Sequence, residues 1–214
     1  MTMEHQTQPP VSIVMTVHDQ AEALEQNLPA FLTLPYEGQY EVIVVDNMST
    51  DDTPDVLKRL KAEYPKLYST FLPNSVVVNP SHKRLALSVG AKAAHHDHII
   101  LADIRRTPIN VDWVAGLTEG EAALVYCNRK RERVTHVVAT DLDDLKSIIR
   151  KAERHSFRDY WGTWFRKQRG LFDAVGVRKE HVFDAIRLYD QRIRGLRLLG
   201  LRLRVWMGFN IVTS

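Results

Sequence analysis

Polar side chains stand directly after three short apolar runs of this chain. Thr16, His18 and Asp19 close the first run, a polar stretch from Asp46 to Thr53 follows the second, and Asp103 follows another. Carboxylates in such positions accept hydrogen bonds from ribose hydroxyls and base N–H groups, and they also hold a divalent metal on a diphosphate. The pattern predicts a nucleotide site. The alternative for 46–53 is an ordinary Asx or ST turn that caps the next helix.

The elements that must position these residues follow from the periodicity of apolar positions. Short β-branched runs predict strands at 11–17, 40–46, 67–72 and 98–102, and helical periodicity predicts helices at 20–34, 53–64 and 82–95. The first helix is expected to be interrupted at Pro29, and Thr53 with Pro54 is typical of an N-cap and first helical residue. This alternation predicts a parallel sheet, which binds ligands at the carboxyl ends of its strands.

The second half of the chain predicts an α+β pattern that completes the same sheet. Predicted strands are 122–127, 134–139, 171–177 and 201–205, with helices at 141–154 and 180–199. Without a repeat or a linker, one domain over 11–214 is expected after a disordered polar tail at 1–10. Its nucleotide-binding half is 11–115 and its acceptor-side half is 116–214.

Composition narrows the class of protein. One cysteine, Cys127, excludes an intramolecular disulfide and a cysteine-only zinc site, and no apolar run approaches the roughly 20 residues that cross a bilayer. A reducing, cytoplasmic location is expected. Residues 1–145 carry 13 basic and 20 acidic side chains, whereas residues 146–214 carry 16 basic and 6 acidic ones. The basic third predicts either a solvated face or a peripheral contact with the inner face of a membrane, and a nucleic-acid partner is not expected.

Four segments of the first half carry the most specific pattern. They are VSIVMTVHD from Val11, YEVIVVDNMSTDDT from Tyr40, HKRLALSVGAKAA from His82, and Leu101-Ala102-Asp103 with Pro108 and Asp112-Trp113. In order and spacing they resemble the blocks of the family 2 glycosyltransferases with the GT-A fold. The resemblance implies an α/β single domain with a mostly parallel central sheet flanked by helices, and a nucleotide-sugar site.

The resemblance also implies residue roles. Asp46 corresponds to the family's base-contacting Asp, and Asp103 to the first carboxylate of its DxD metal motif, which contacts the ribose or the metal. Arg105 stands where the second carboxylate is expected, and its charge disfavours Mn²⁺ or Mg²⁺ at Asp103. Further residues expected to bind the nucleotide sugar are Thr16, His18, Asp19, Ser49, Lys83 and Arg84.

Three interpretations of Arg105 stay open. Together with Arg106 it pairs with the diphosphate in place of a metal, because a guanidinium group suits phosphate oxygens. Alternatively, catalysis is lost and only binding remains, or both arginines point into water. The acceptor base that the family places in a Glu-Asp pair has no clear counterpart. Asp190 is the nearest carboxylate in sequence, Asp184 the second, and Asp173 a weaker contributor.

Two functions follow from these expectations. The first is transfer of a sugar from a nucleotide sugar, with UDP as the expected nucleotide, to a saccharide or lipid-linked acceptor, as in bacterial polysaccharide biosynthesis. Arg105 and Asp190 are its expected catalytic residues. The second is an inactive nucleotide-sugar-binding or scaffold protein that partners an active transferase.

Overall fold

The computed structural model describes residues 8–72, 82–110, 112–128, 133–141, 143–147 and 173–187. These ranges contain every predicted nucleotide-sugar-binding residue. Asp190 and the predicted strand at 201–205 lie outside the described residues.

Seven strands of the described residues form one sheet in the order β3-β2-β1-β4-β7-β5-β6. The first four strands are mutually parallel; β7 pairs antiparallel with β4, β5 antiparallel with β7, and β6 antiparallel with β5. Strands β1, β2 and β4 are apolar, largely β-branched runs that are buried on both faces, as expected for a sheet between two layers of helices, whereas β3 exposes Tyr68 and Phe71. The strands are Val11–Val17 (β1), Tyr40–Asp46 (β2), Leu67–Phe71 (β3), His98–Ala102 (β4), Ala122–Asn128 (β5), Arg133–Ala139 (β6) and Ala174–Arg178 (β7).

Helices cover the two faces of this sheet. They are Ala21–Leu32 (α1), Thr53–Glu63 (α2), His82–Ala93 (α3) and Asp112–Ala115 (α4), with 3₁₀ turns at Gly116–Thr118 and Lys179–His181. Residues 143–147 and 182–187 are also helical. Side chains of α1, α2 and α4 pack against Ile13 and Val44 on one face, while α3 packs against Val14 and Val45 on the other. Because successive residues of a strand point to opposite faces, one apolar run supplies both cores.

The strand register brings three carboxylates to one edge of the sheet. Val17, the last residue of β1, pairs with Asp46, the last residue of β2. Ala102, the last residue of β4, pairs with Ala174, the first residue of β7. Asp103 and Asp173 directly flank this second pair, so they stand at the same edge as Asp46. The site predicted from strand ends is therefore assembled at the edge that parallel α/β sheets use for ligands.

The α/β fold class, with helices flanking a central sheet, is confirmed, and two local predictions are wrong. Helix α1 is not interrupted at Pro29; it continues to Leu32, and the Pro29 carbonyl accepts the backbone N–H and the hydroxyl of Thr33. Proline costs the helix one backbone hydrogen bond there, and the burial of Leu28, Phe31 and Leu32 around it offsets the loss. Thr53 is not the side-chain cap of α2, since its hydroxyl is used elsewhere, as described below. Among the described residues, no helix has both the length and the apolarity to cross a bilayer.

Candidate functional site

The loops after β1 and β2 are joined by hydrogen bonds from backbone N–H groups of the first loop to side chains of the second. Asp19 donates to the Ser49 hydroxyl at 3.0 Å, and Gln20 donates to Thr53 Oγ1 at 3.1 Å. The N–H of Ala21, the first residue of α1, donates to Asp51 Oδ2 at 3.0 Å. The second loop therefore satisfies N–H groups that would otherwise lack partners at a helix start.

The Asp19 side chain in turn accepts a hydrogen bond from the second loop. Its Oδ1 accepts the N–H of Thr50 at 2.7 Å, and this bond and the charge of His18 hold the pKa of Asp19 below its ordinary value against the opposing effect of desolvation. Asp19 and Met48 adopt positive φ angles of 50° and 59°, which non-glycine residues rarely do. The backbone of both loops is thus held in a specific shape at the edge of the sheet.

His18 and Thr16 lie beside these contacts. His18 Nδ1 is 2.8 Å from the Asn47 carbonyl oxygen. A carbonyl only accepts, so Nδ1 carries the proton in this contact. Thr16 is half-buried and pairs with Val45 in the register of β1 and β2. Both predicted binding residues are placed at the predicted edge.

Asp46 closes β2 and is 6% exposed. Its Oδ1 accepts the N–H of Ser49 at 3.0 Å, while Asp51 Oδ1 accepts the N–H of Thr53 at 3.0 Å. Asx-type turns are therefore present in the loop, and Asp51 rather than Thr53 supplies the side-chain acceptor at the start of α2. The turn and the ligand interpretations are compatible, because Asp46 has a second carboxylate oxygen.

Asp103 is hydrogen-bonded to Arg105 through both of its oxygens. Arg105 Nε donates to Oδ1 at 3.0 Å and Nη2 donates to Oδ2 at 2.7 Å, and the backbone N–H of Arg105 also donates to Oδ1 at 3.0 Å. Burial acts to raise the pKa of Asp103, but these bonds and the charges of Arg105 and Lys83 outweigh it and hold the pKa below its ordinary value. Asp103 is thus held as a carboxylate.

Lys83 and Arg84 lie in the first turn of α3, and both are half-buried. The positive charge of Lys83 contributes to lowering the pKa of Asp103. The Arg84 carbonyl accepts the Ser88 hydroxyl, one turn further along the helix, at 2.8 Å. Cations at this helix start add positive charge to the edge where Asp103 stands.

Arg106 and Asp173 form an ion pair, although Asp173 was expected to contribute less to the site than Asp190 or Asp184. Arg106 Nη1 lies 3.6 Å from Asp173 Oδ1, and Asp173 is 5% exposed. Asp173 directly precedes the amino end of an antiparallel strand. The rule that ligands bind at the carboxyl ends of strands therefore does not identify it. The signal that could have found it is an acidic residue at the start of a buried run.

A divalent cation fits these residues poorly. Both oxygens of Asp103 accept hydrogen bonds from Arg105, and Asp173 faces Arg106. Among the described residues, the group with ligand spacing for an ion is Glu121, Glu180 and His181, which does not include Asp103. The described residues at the strand ends therefore suit an anion held by guanidinium groups better than a metal ion with oxygen ligands.

A cavity of about 580 Å³ lies at the opposite edge of the sheet. Buried Glu41 stands in its wall, where it accepts hydrogen bonds from the Ser12 hydroxyl and from the backbone N–H of His95. The cavity is at the amino ends of the parallel strands and holds none of the residues predicted to bind a nucleotide sugar.

Comparison with known proteins identifies the class to which the chain belongs. The α/β sheet and the sequence match together define a domain of the glycosyltransferase class. Residues 2–139 match glycosyl transferase family 21, and the chain belongs to this family. The expected class of protein is confirmed, whereas the assignment to family 2 is not.

Two curated relatives are similar over most of this chain. It is 24% identical over 184 residues to a beta-monoglucosyldiacylglycerol synthase of Nostoc sp., covering 78% of this chain and 34% of that protein. It is 30% identical over 182 residues to the probable glycosyltransferase YdaM of Bacillus subtilis, covering 78% of this chain and 42% of that protein. The chain thus spans less than half the length of either relative.

Two solved structures are similar over a little more than half of the chain. One is the mannosyltransferase PcManGT from Pyrobaculum calidifontis in complex with GDP-Man and Mn²⁺, with 22% identity, a TM-score of 0.49, and coverage of 59% of this chain and 38% of that one. The other is TarS 1-349 of S. aureus in complex with UDP-GlcNAc, with 18% identity, a TM-score of 0.44, and coverage of 55% and 34%.

Proposed function

We propose that this chain is the donor-binding part of a glycosyltransferase that moves a sugar from a nucleoside diphosphate, UDP first among them, to a saccharide or lipid-linked acceptor. The observation that carries the proposal is the assembly of Asp46, Asp103 and Arg105 at the carboxyl edge of the parallel strands in a family 21 chain. The GT-A features shared with family 2 enzymes support it through the four sequence blocks.

Each residue of this edge has a role in the proposal. Asp46 binds the nucleobase, Asp103 the ribose or the diphosphate, and Lys83 and Arg84 the phosphates. Arg105 faces the leaving diphosphate. The loop residues Thr16, His18, Asp19 and Ser49 shape the wall of the nucleotide site.

The reaction requires charge stabilisation more than covalent chemistry from the protein. An acceptor hydroxyl attacks the anomeric carbon, the bond from that carbon to the diphosphate breaks, and negative charge builds on the leaving phosphate oxygens. Arg105 is 65% exposed, and Asp103 fixes its orientation, so its guanidinium group is preorganised to receive that charge. In this proposal Arg105 takes the place of a metal ion in stabilising the leaving diphosphate, so the transfer is metal-independent. Asp190, outside the described residues, is the proposed base that takes the hydroxyl proton with inversion at carbon.

The acceptor in this proposal is a saccharide or a lipid at a membrane surface. The Nostoc relative is a diacylglycerol glycolipid synthase by name, and the basic third at 146–214 is suited to anionic lipid. A peripheral position on the cytoplasmic face of a membrane follows from this acceptor. Flotation with vesicles of anionic and of neutral lipid tests it: binding to anionic vesicles that falls with salt is expected, and equal recovery with both contradicts it.

Calorimetric titration tests the donor site. UDP, UDP-glucose, UDP-GlcNAc and GDP-mannose are titrated into the protein with EDTA, and then with Mn²⁺. Binding by at least one nucleotide in EDTA is expected. The control Arg59→Gln removes an exposed arginine that pairs with Glu25 on the helices, and it should bind as the wild-type protein does. No binding at millimolar nucleotide rules out the donor site. Release of the nucleoside diphosphate in the presence of acceptor then separates an enzyme from an inactive binding protein, which family membership does not favour.

A further inference from the structure

Two neighbouring carboxylates at the candidate site each contact one of two consecutive arginines. Strands β4 and β7 pair antiparallel with Ala102 opposite Ala174, so Asp103 and Asp173 flank the same pair. Asp103 accepts from Arg105, and Asp173 lies 3.6 Å from the Arg106 guanidinium group. The two strands thus supply one acidic partner for each arginine.

The second pair is the more buried one. Asp173 is 5% exposed and the side chain of Arg106 is 24% exposed. A buried carboxylate is costly to hold without a cation beside it, so the orientation that keeps Arg106 near Asp173 is strongly favoured. The backbone fixes both partners, because the N–H of Arg106 donates to the Asp103 carbonyl at 2.8 Å and the N–H of Asp173 donates to the Val125 carbonyl at 2.7 Å.

We propose that Asp173 is a positioning residue that holds Arg106 beside Arg105, so that the two guanidinium groups contact the two phosphates of a nucleoside diphosphate. The inference rests on the proposed function and deepens it, since it assigns a determinant of selectivity for a diphosphate over a monophosphate. One guanidinium fork matches the oxygens of one phosphate group. A ligand with a single phosphate engages only one of the two arginines and gains little from the second.

The test compares UDP, UMP and uridine by calorimetry on the full chain. The variants are Asp173→Asn, which removes the charge and keeps the shape, and Arg106→Gln. Both are expected to lower the affinity for UDP about tenfold, the effect of losing one charged hydrogen bond, and to change that for UMP and uridine by less than about twofold. The control is Glu41→Gln, a buried carboxylate at the opposite edge, which is expected to lower thermal stability and leave the UDP-to-UMP ratio unchanged.

The ratio of the affinities for UDP and UMP distinguishes the proposal from a merely structural role of Asp173. A merely structural role of Asp173 moves thermal stability and all three affinities together, so an unchanged UDP-to-UMP ratio in both variants overturns it. If Asp173→Asn does not fold, the Arg106 variant decides: a wild-type UDP-to-UMP ratio in Arg106→Gln is sufficient to reject the proposal. Wild-type protein that binds neither UDP nor GDP rejects the proposed function itself, a result distinct from a wild type that binds and variants that keep its selectivity.

Discussion

Arg105 donates to both carboxylate oxygens of Asp103, from Nε to Oδ1 at 3.0 Å and from Nη2 to Oδ2 at 2.7 Å. Two parallel hydrogen bonds from a planar group fix its orientation more firmly than one. Asp103 is 18% exposed and Arg105 65% exposed, so the carboxylate is the anchor and the guanidinium group is the part that solvent or a ligand meets. This pair is the basis of the first two predictions.

Replacement of Arg105 by alanine is expected to weaken UDP binding about tenfold or more, because a charged hydrogen-bond donor is lost and Asp103 then faces the diphosphate without its partner. Calorimetry measures the effect. Arg59→Ala removes an exposed arginine that pairs with Glu25 away from the sheet edge, and it should leave the affinity unchanged. Equal affinity in Arg105→Ala and wild type would favour the interpretation in which Arg105 points into water.

Removal of divalent metal is expected to leave UDP binding unchanged, since Asp103 and Asp173 are each paired with an arginine. The matched variant is Arg105→Asp, which is expected to gain a dependence on a divalent metal. It places a carboxylate two residues after Asp103, and UDP binding to this variant should become weaker in EDTA and recover with Mn²⁺. A strict requirement of the wild-type protein for Mn²⁺ would contradict the metal-independent account.

Thr53→Val is expected to destabilise the fold by about 1–3 kcal/mol, the cost of a buried polar group left without a partner. Thr53 is fully buried, and its Oγ1 accepts the N–H of Gln20, so valine keeps the volume and removes the acceptor. Urea unfolding measures the change. Thr53→Ser keeps the hydroxyl, loses the methyl group and should lose less; if Thr53→Val loses no stability while Thr53→Ser does, packing of the methyl group rather than the bond between the loops is responsible.

Stability is expected to fall in acid through Glu41. Burial acts to raise its pKa, but hydrogen bonds from Ser12 and His95, with the charge of His95, hold the pKa below the ordinary value of 4.5. A carboxylate whose pKa is lower in the folded state contributes stability that is present above its unfolded pKa and lost as the pH falls through the folded value.

Thermal unfolding of Glu41→Gln between pH 3 and 7 checks this contribution. The variant should be less stable than wild type near neutral pH, and the difference should shrink below about pH 4.5. Glu37→Gln, a substitution at an exposed residue of the same cavity wall, is the control and should follow the wild-type curve. A constant difference across the pH range would show that Glu41 acts through packing rather than through its charge.

The first half of the fold was predictable because its signals are local. Buried parallel strands read as uninterrupted β-branched runs, and β1, β2 and β4 begin and end at the predicted residues. Pro29 misled the prediction, because the hydrogen bond that proline removes is a local loss, whereas the burial of Leu28, Phe31 and Leu32 that offsets it is tertiary. In the second half, the predicted bounds of β7 differ from the observed ones by three residues at the start and one at the end, because the strand is short and its partners are distant in sequence.

The sequence by itself determined the order of strands and helices, the edge at which polar residues collect, and the presence of arginines beside Asp103. Each of these depends on residue type and spacing along the chain. Only the tertiary structure decided which groups pair: Thr53 with Gln20 rather than with its own helix, Arg105 with Asp103, and Arg106 with Asp173. The pairings of Thr53 with Gln20 and of Arg106 with Asp173 require strand register and sheet order, and β4 and β7 are brought together by the antiparallel return of a segment about 70 residues downstream.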